Sequence, residues 1–262
     1  MSARRRPPKN KSSQKNSASN SVLPSFPKCY KKNSKPHKFC PGCGHPIVLK
    51  MLGQAIDELK IQNKSVFLID IGCSLLAWDF YNIDTTQTHH GRTIPVALGF
   101  KRANPEAVVI AYLGDGGAYS IGMQHLVHAT LRNENITTIV VNNMNYGMTG
   151  GQMAPTTITE QPPTTTAPFG RKEKYLGTPL KGPEMLEKIG VPGQYIARMS
   201  VDVPPQLKLT LKKALQHQMD KKGFSFVEAL SYCPNNWKTN AAETIATLQK
   251  AKQEFPTYEK EL

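Results

Sequence analysis

Short apolar runs recur along the chain and predict the strands of one sheet. Most are rich in Val, Ile, Leu and Phe with few polar interruptions, a pattern typical of strands that are buried on both faces. The runs span residues 66–71, 108–113, 137–141, 195–199 and 224–230. Longer helical or loop segments separate them. This alternation predicts an α/β fold with a mostly parallel sheet and helices on both faces.

Apolar residues at helical spacing predict the covering helices. Residues 46–59 place their apolar side chains on one side, with only Leu49 out of step. Residues 121–131 and 207–221 predict two further helices. By contrast, residues 147–182 are rich in Gly, Thr and Pro and have little periodicity, so they predict a long loop. Loops of this length inside a compact domain are usually either functional or poorly ordered.

The positive charge is concentrated at one end of the chain. The formal net charge is +14, from 33 Lys and Arg against 19 Asp and Glu. Residues 1–38 contain 11 of the basic residues and none of the acidic ones, which leaves 22 basic residues against 19 acidic ones in the remainder. We therefore predict a basic disordered tail over residues 1–38 and one folded domain over residues 39–262.

The tail admits several interpretations. We favour a solvated extension that contacts an acidic partner. An organelle transit peptide is a weaker alternative, because the segment has many prolines and no apolar helical face. A nucleic-acid-binding arm is also disfavoured, since Phe26 and Tyr30 are its only aromatic residues. No apolar run approaches the ~20 residues of a membrane span, and no secretory signal is evident, so we expect a soluble, cytoplasmic protein.

Polar residues follow two neighbouring predicted strands. Gly114-Asp115-Gly116 closes the run 108–113, and Asn142-Asn143 follows the run 137–141. At the carboxyl ends of parallel strands, a carboxylate and an amide oxygen can grip one hard cation. Glycines beside the carboxylate let the backbone approach phosphate oxygens closely. The pair predicts a cation-held diphosphate, with two plain turns as the alternative.

Four of the five cysteines have positions that suit a metal centre. Cys40-Pro41-Gly42-Cys43 places two thiols about one turn apart, and Cys73 and Cys233 each follow a predicted strand. Four thiolates in this arrangement would hold either a 4Fe–4S cluster or a structural zinc ion, and their spacing does not decide between the two. The remaining alternative is that Cys73 and Cys233 are small buried apolar residues.

Several motifs together resemble the thiamine-diphosphate-binding β subunit of 2-oxoacid:ferredoxin oxidoreductases, over about residues 38–237. The motifs are Phe39-Cys40-Pro41-Gly42-Cys43-Gly44-His45, Ile71-Gly72-Cys73-Ser74, His90-Gly91-Arg92, Gly114-Asp115-Gly116, Tyr146-Gly147-Met148-Thr149-Gly150-Gly151-Gln152 and the segment from Phe224 to Pro234. This resemblance implies the thiamine-diphosphate-binding fold, with thiamine diphosphate, Mg²⁺ and a 4Fe–4S cluster as cofactors. Because the long loop over residues 147–182 leaves directly from the predicted cofactor site, we expect part of it to lie over the cofactor or to pack against a partner subunit, with a plain flexible loop as the alternative.

The resemblance assigns a role to individual residues. The implied Mg²⁺ ligands are Asp115, the side chain of Asn143 and the carbonyl of Asn145. The implied cluster ligands are Cys40, Cys43, Cys73 and Cys233, which leaves Cys29 as a spare thiol in the tail. His90 and Arg92 would stabilise developing charge or meet the substrate carboxylate. The other implied cofactor-binding residues are Gly72, Cys73, Ser74, Gly114, Gly116, Gly117, Gly147, Met148 and Thr149.

The implied activity is oxidative decarboxylation of a 2-oxoacid to acyl-CoA, with electrons passed through the cluster to ferredoxin. No acidic residue matches the glutamate that activates the cofactor, so a partner α subunit would supply it. Gly150 stands where relatives that act on 2-oxoglutarate often have Lys, which favours 2-oxoisovalerate and leaves 2-oxoglutarate as the alternative. Further alternatives are a non-oxidative decarboxylase or carboligase with structural zinc, and a nucleic-acid-associated protein.

Overall fold

Seven strands form one sheet in the computed structural model, which describes residues 26–31, 36–159 and 164–262. In spatial order the strands are Asp84–Gln87 (β2), Ser65–Ile69 (β1), Val108–Gly114 (β3), Thr137–Asn142 (β4), Ser225–Leu230 (β8), Tyr195–Ser200 (β7) and Tyr258–Glu261 (β9). All neighbouring pairs are parallel except β7 and β9. A separate antiparallel pair consists of Asn145–Tyr146 (β5) and Gln152–Met153 (β6). The mostly parallel sheet is confirmed.

Helices cover both faces of this sheet. They are His45–Leu59 (α1), Thr93–Ala103 (α2), Met123–Leu131 (α3), Glu173–Leu176 (α4), Gly182–Ile189 (α5), Pro204–Met219 (α6), Pro234–Trp237 (α7) and Ala241–Glu254 (α8). Alternate residues of β1 point to opposite sides, so Phe67 belongs to the apolar cluster that also contains residues of α1 and α6, while Leu68 belongs to the cluster that contains residues of α2, α3 and α5. Across the described ranges, no helix is both long and apolar enough to cross a bilayer.

The strands predicted from apolar runs all form, with ends shifted by at most two residues. The helix predicted over 121–131 begins only at Met123, because a π-helical turn, Gly117–Ile121, first leads the chain away from β3. The helix predicted over 207–221 begins earlier, at Pro204, since proline fits the first turn of a helix. These differences affect the ends of elements and leave the predicted order unchanged.

The structure corrects the predicted boundary of the tail. Cys29 is fully buried, and its Sγ donates to the Gly53 carbonyl at 3.4 Å. The Cys29 backbone N–H donates to Asp57 at 3.1 Å, and Tyr30 pairs with Tyr81. Burial, followed by the nearby Asp57 charge, raises the pKa of the Cys29 thiol to about 12. Cys29 is therefore a core residue rather than a spare thiol in a tail; residues 1–25 and 32–35 lie outside the described residues.

Candidate cofactor and metal site

A cavity opens at the carboxyl ends of β1, β3 and β4, the edge at which parallel α/β sheets bind ligands. The predicted site residues that line it are Gly72, Cys73, His90, Gly114, Asp115, Gly116, Gly117, Asn143, Asn145, Gly147, Met148 and Thr149. Among the other predicted catalytic and cofactor-binding residues, two do not line it. Ser74 is buried and donates to the Asp70 carbonyl at 3.1 Å, and exposed Arg92 donates to the Ile121 carbonyl at 3.1 Å. The structure thus gathers most of the predicted set at one place.

Asp115 lies in the floor of the cavity and is almost completely buried. Thr156 Oγ1 donates to its Oδ2 at 2.6 Å. Burial raises the pKa of Asp115 to about 7, although the hydrogen bonds from Thr156 and the Gly116 backbone oppose the shift. A divalent cation in the cavity would favour the ionised carboxylate and supply the charge that burial makes costly. The site therefore suits a cation.

Two amide oxygens in the same wall strengthen this fit. Asn143 Oδ1 and Asn145 Oδ1 are buried, and neither has a hydrogen-bond partner within the part of the chain that the structure describes. Met144, between them, has a φ of +59°, and this left-handed conformation turns both asparagines toward the cavity. Hard cations prefer oxygen ligands of this type. The Asp115 carboxylate and the side-chain oxygens of Asn143 and Asn145 thus form a donor set that fits Mg²⁺.

Close packing requires the two glycines that follow Asp115, but not Gly114 before it. A Cβ at Gly116 would lie 2.2 Å from the Tyr146 ring, and one at Gly117 would lie 1.9 Å from Asp70 Oδ2. Gly72 has a φ of +145°, which L side chains rarely adopt, and Gly114 has open space where a Cβ would stand. The cavity is therefore bounded by bare backbone, as close approach to phosphate oxygens requires.

The predicted cluster cysteines come together beside this cavity. The turn from Cys40 to Cys43 packs on the segment that carries Cys233, because the Gly44 N–H donates to the Tyr232 carbonyl at 3.4 Å. Cys73 lies on the other side, where a Cβ at Gly147 would stand 2.9 Å from its Sγ. Of the four cysteines, Cys73 lines the cavity itself, with the loop at Gly147 packed against its Sγ.

Burial makes these thiols hard to ionise. It raises the pKa of Cys43 and Cys73 to about 12 and that of Cys233 above its usual value, and neighbouring cysteines reinforce the shifts. Several thiolates so close together need a cationic centre to balance their charge. Among residues 26–31, 36–159 and 164–262, no three His, Cys, Asp or Glu side chains are close enough to hold a single metal ion. As they stand, the cysteines do not form a closed one-metal centre.

Asp70 is a cavity residue that the motifs did not indicate. Its Oδ1 accepts from the Gly91 N–H at 2.7 Å and its Oδ2 lies against Gly117, so it joins the turn of His90 to the turn of Asp115. Burial raises the pKa of Asp70 to about 6, although hydrogen bonds from Gly91 and Ile71 oppose this. The available signal was a single acidic residue inside an otherwise apolar run.

His45 was predicted only as a neighbour of the cysteine pair, and it lines the cavity. Its Nδ1 is hydrogen-bonded to the Tyr112 hydroxyl at 2.7 Å, and its ring stacks on Phe39. Burial lowers the pKa of His45 to about 3, so the imidazole is neutral at pH 7. It contributes shape and a hydrogen bond rather than charge.

Arg171 orders the long loop that follows the cavity. This buried guanidinium donates to the carbonyls of Gly177 at 2.7 Å, Thr157 at 2.9 Å and Thr178 at 2.7 Å. Further carbonyl partners are Ala154, Pro155 and Leu176. The same loop carries Thr156, the donor to Asp115, so Arg171 supports the cavity from outside. Residues 160–163 of the predicted loop are not described.

Comparison with known proteins agrees with this geometry. More than half of the chain, residues 70–229, matches the family described as thiamine pyrophosphate enzyme, C-terminal TPP binding domain. Ketoisovalerate oxidoreductase subunit VorA of Methanothermobacter thermautotrophicus is 41% identical over 222 residues, which are 83% of this chain and 46% of that subunit. 2-Oxoglutarate synthase subunit KorB of Methanothermobacter marburgensis is 38% identical over 208 residues, 79% of this chain and 69% of that subunit.

The chain belongs to the 2-oxoacid:ferredoxin oxidoreductase family. Among solved structures, a 2-oxoglutarate:ferredoxin oxidoreductase from Magnetococcus marinus with 2-oxoglutarate, coenzyme A and succinyl-CoA bound matches with a TM-score of 0.73 and 30% identity. That match covers 88% of this chain and 75% of the other. The thiamine-diphosphate-binding fold predicted for this chain is therefore confirmed. The chain spans about half the length of the VorA subunit it resembles.

Proposed function

We propose that this chain is the β subunit of a 2-oxoacid:ferredoxin oxidoreductase, which converts a 2-oxoacid and coenzyme A to acyl-CoA. The observation that carries the proposal is the convergence of Asp115 and two amide oxygens on a cavity that also reaches Cys73; neither oxygen has a hydrogen-bond partner among the described residues. When bound, thiamine diphosphate supplies an electron sink for loss of CO₂, and a 4Fe–4S cluster accepts electrons singly and passes them to ferredoxin.

The residues of the chain divide into three groups around these cofactors. Asp115, Asn143 and Asn145 would hold Mg²⁺, and the glycine backbone beside Asp115 would face the diphosphate. Cys40, Cys43, Cys73 and Cys233 would hold the cluster. His90 lines the cavity and would meet the substrate carboxylate or stabilise developing charge, whereas Arg92 would first have to leave the Ile121 carbonyl.

A partner α subunit completes the proposed site. Within the described part of the cavity wall, the carboxyl groups are those of Asp70 and Asp115. Asp115 is engaged by the proposed Mg²⁺, and Asp70 by the Gly91 backbone. The carboxylate that activates the cofactor's aminopyrimidine is therefore assigned to the α subunit. Ferredoxin, coenzyme A and the 2-oxoacid are the other proposed partners.

We propose 2-oxoisovalerate as the preferred substrate. Gly150 offers no cation for a distal carboxylate, and the position of its missing Cβ is open to at least 4 Å. The relative VorA is named for ketoisovalerate, whereas KorB and the solved neighbour are named for 2-oxoglutarate. The test is to reconstitute the chain with its α subunit and compare kcat/KM for both acids, following viologen reduction with coenzyme A present. A preference for 2-oxoglutarate would overturn the substrate proposal alone.

The metal content tests the cluster against structural zinc. Anaerobically purified protein should contain iron and acid-labile sulfide, and Cys233→Ala should lose both together with the broad visible absorption. Cys29→Ala is the matched control, because Cys29 is also buried but lies outside the cysteine set. Zinc without iron would favour the non-oxidative decarboxylase or carboligase. Full iron retention in Cys233→Ala would remove Cys233 from the ligand set.

A further inference from the structure

Asn236 connects the cysteine segment to the cofactor loop through one side-chain nitrogen. It lies in the short helix α7, three residues after Cys233. Its Nδ2 donates to the Gly147 carbonyl at 2.7 Å and lies 3.5 Å from Cys233 Sγ, a normal distance for an N–H donor to sulfur. Gly147 lines the cofactor cavity. One carboxamide therefore contacts both a proposed cluster ligand and the wall of the proposed cofactor site.

The packing around Asn236 holds this carboxamide in place. A Cβ at Gly147 would lie 3.4 Å from Asn236 Nδ2 and 2.9 Å from Cys73 Sγ. A Cβ at Gly151 would lie 3.1 Å from Asn236 Cβ. The two glycines thus let the loop close over Asn236 from one side while Cys233 lies on the other. The Gly147 carbonyl can only accept a hydrogen bond, so the Nδ2 end of the Asn236 carboxamide faces it.

We propose that Asn236 is a positioning residue that raises the reduction potential of the cluster and fixes its ligand against the cofactor loop. The inference rests on the proposed function. Reduction adds negative charge to a cluster and its thiolates, and an N–H directed at a ligand sulfur stabilises that charge. Because the same nitrogen is bonded to Gly147, the sulfur and the cavity wall keep a fixed relation during electron transfer.

Redox titration of the assembled enzyme, followed by electron paramagnetic resonance, tests the inference. Asn236→Leu keeps a similar size but removes the donor, so it should lower the potential while iron and sulfide stay at parental levels. We expect a shift of up to about tenfold in the one-electron equilibrium, about 59 mV. Asn235→Leu is the matched control, since Asn235 is its exposed neighbour, and its potential should not change.

The outcomes separate the inference from the proposed function. A parental potential in Asn236→Leu overturns the inference and leaves the proposed function standing. If Asn236→Leu loses the cluster, Asn236→Asp keeps the shape without the donor, and an unchanged potential in that variant overturns the inference. Parental enzyme without iron and sulfide overturns both.

Discussion

At the scale of single residues, burial decides the chemistry of the site. Asp115 is almost fully buried, and Thr156 and the Gly116 backbone are the hydrogen-bond donors that face it. Such a carboxylate is costly to ionise without a cation and binds one strongly when it arrives. The proposed cation binding and the raised pKa of Asp115 therefore share one cause, the burial of this carboxyl group.

Asp115→Ala should abolish Mg²⁺-dependent binding of thiamine diphosphate. Removing groups that only support a metal ligand costs roughly 10–100-fold in affinity, so we expect loss of the charged ligand itself to cost about 100-fold or more. Calorimetric titration of the assembled enzyme measures the effect. Asp84→Ala, which removes an exposed carboxylate on the edge strand β2, should keep parental affinity. Equal affinities in the two variants would contradict the assignment of Asp115.

Asp70 should make the stability of the protein depend on pH. Its folded pKa, about 6, lies above the ordinary value of 3.8, so the folded state holds the proton more tightly than the unfolded state. The contribution of Asp70 is thus fully present below about pH 4 and is lost as pH rises through about 6. Asn cannot ionise, so the free energy of unfolding of Asp70→Asn should not show this loss. Relative to the parent, it should rise by on the order of 2–3 kcal/mol between pH 4 and pH 8. Urea unfolding of both proteins across that range gives this difference, and parallel curves would refute it.

The sequence could indicate the metal donors but not every group around them. Asp115, Asn143 and the cysteines follow predicted strands or sit in a tight turn, so the parallel sheet brings them to one edge. Thr156 and Asn236 reach the site from loops, where no periodicity predicts which side chain turns inward. Their contacts depend on tertiary packing, which a pattern of apolar residues does not encode.

At the scale of elements, β7 and β8 share a buried ion pair. Arg198 in β7 donates to Glu228 in β8 through Nε. Its Nη1 and Nη2 atoms each donate to Glu184 in α5 at 2.7 Å. Tyr119 in the π-helical turn also donates to Glu228. Arg198 and Glu228 are almost completely buried. Each charge therefore needs its hydrogen-bonded partners to compensate for the hydration that it loses on burial. The network joins the sheet to the turn that follows Asp115.

Glu228→Gln should therefore destabilise the protein by about 3–5 kcal/mol, because it leaves part of the buried Arg198 charge uncompensated. Glu106→Gln is the control: it weakens an exposed pair with Lys221 and should leave the stability nearly unchanged. Denaturant midpoints of the two variants make the comparison. Similar midpoints would mean that the buried pair contributes little.

The apolar pattern predicted inner elements better than edge elements. Strands such as β4 and β8 are buried at every position, and their continuous apolar runs are visible in the sequence. The edge strands β2 and β9 are short and mostly polar, as solvent-facing edges usually are, so they carried no such signal. Their pairing is determined by the neighbouring strand rather than by their own residues.

At the scale of the whole molecule, the cavity is bounded by the glycine turns, the asparagines and the loop ordered by Arg171. The sequence predicted this edge of the sheet, and it predicted that the activating glutamate would come from elsewhere. The sequence did not predict that part of the chain before residue 39 packs into the core. Cys29 and Tyr30 pack against α1 and the segment around Tyr81, with no periodic signal to announce it.

The isolated chain should not decarboxylate any 2-oxoacid, even when it is loaded with thiamine diphosphate and Mg²⁺. Viologen reduction should appear only after the α subunit is added, if that subunit supplies the activating carboxylate as proposed. Turnover by the chain alone would show that a residue of this chain performs the activation. Asp70 would then be the first residue to replace.

The thermal stability of the loop from Ala154 to Thr178 depends on one side chain, that of Arg171. Lysine cannot reproduce its planar set of donors, so Arg171→Lys would release the backbone carbonyls on both sides of the loop. Thr156 would move with them and withdraw its hydrogen bond from Asp115. Local melting of this loop would then precede unfolding of the sheet. On warming, the Arg171→Lys variant would therefore bind the cofactor less tightly while most of its fold remained intact. Its inactivation would be reversible on cooling.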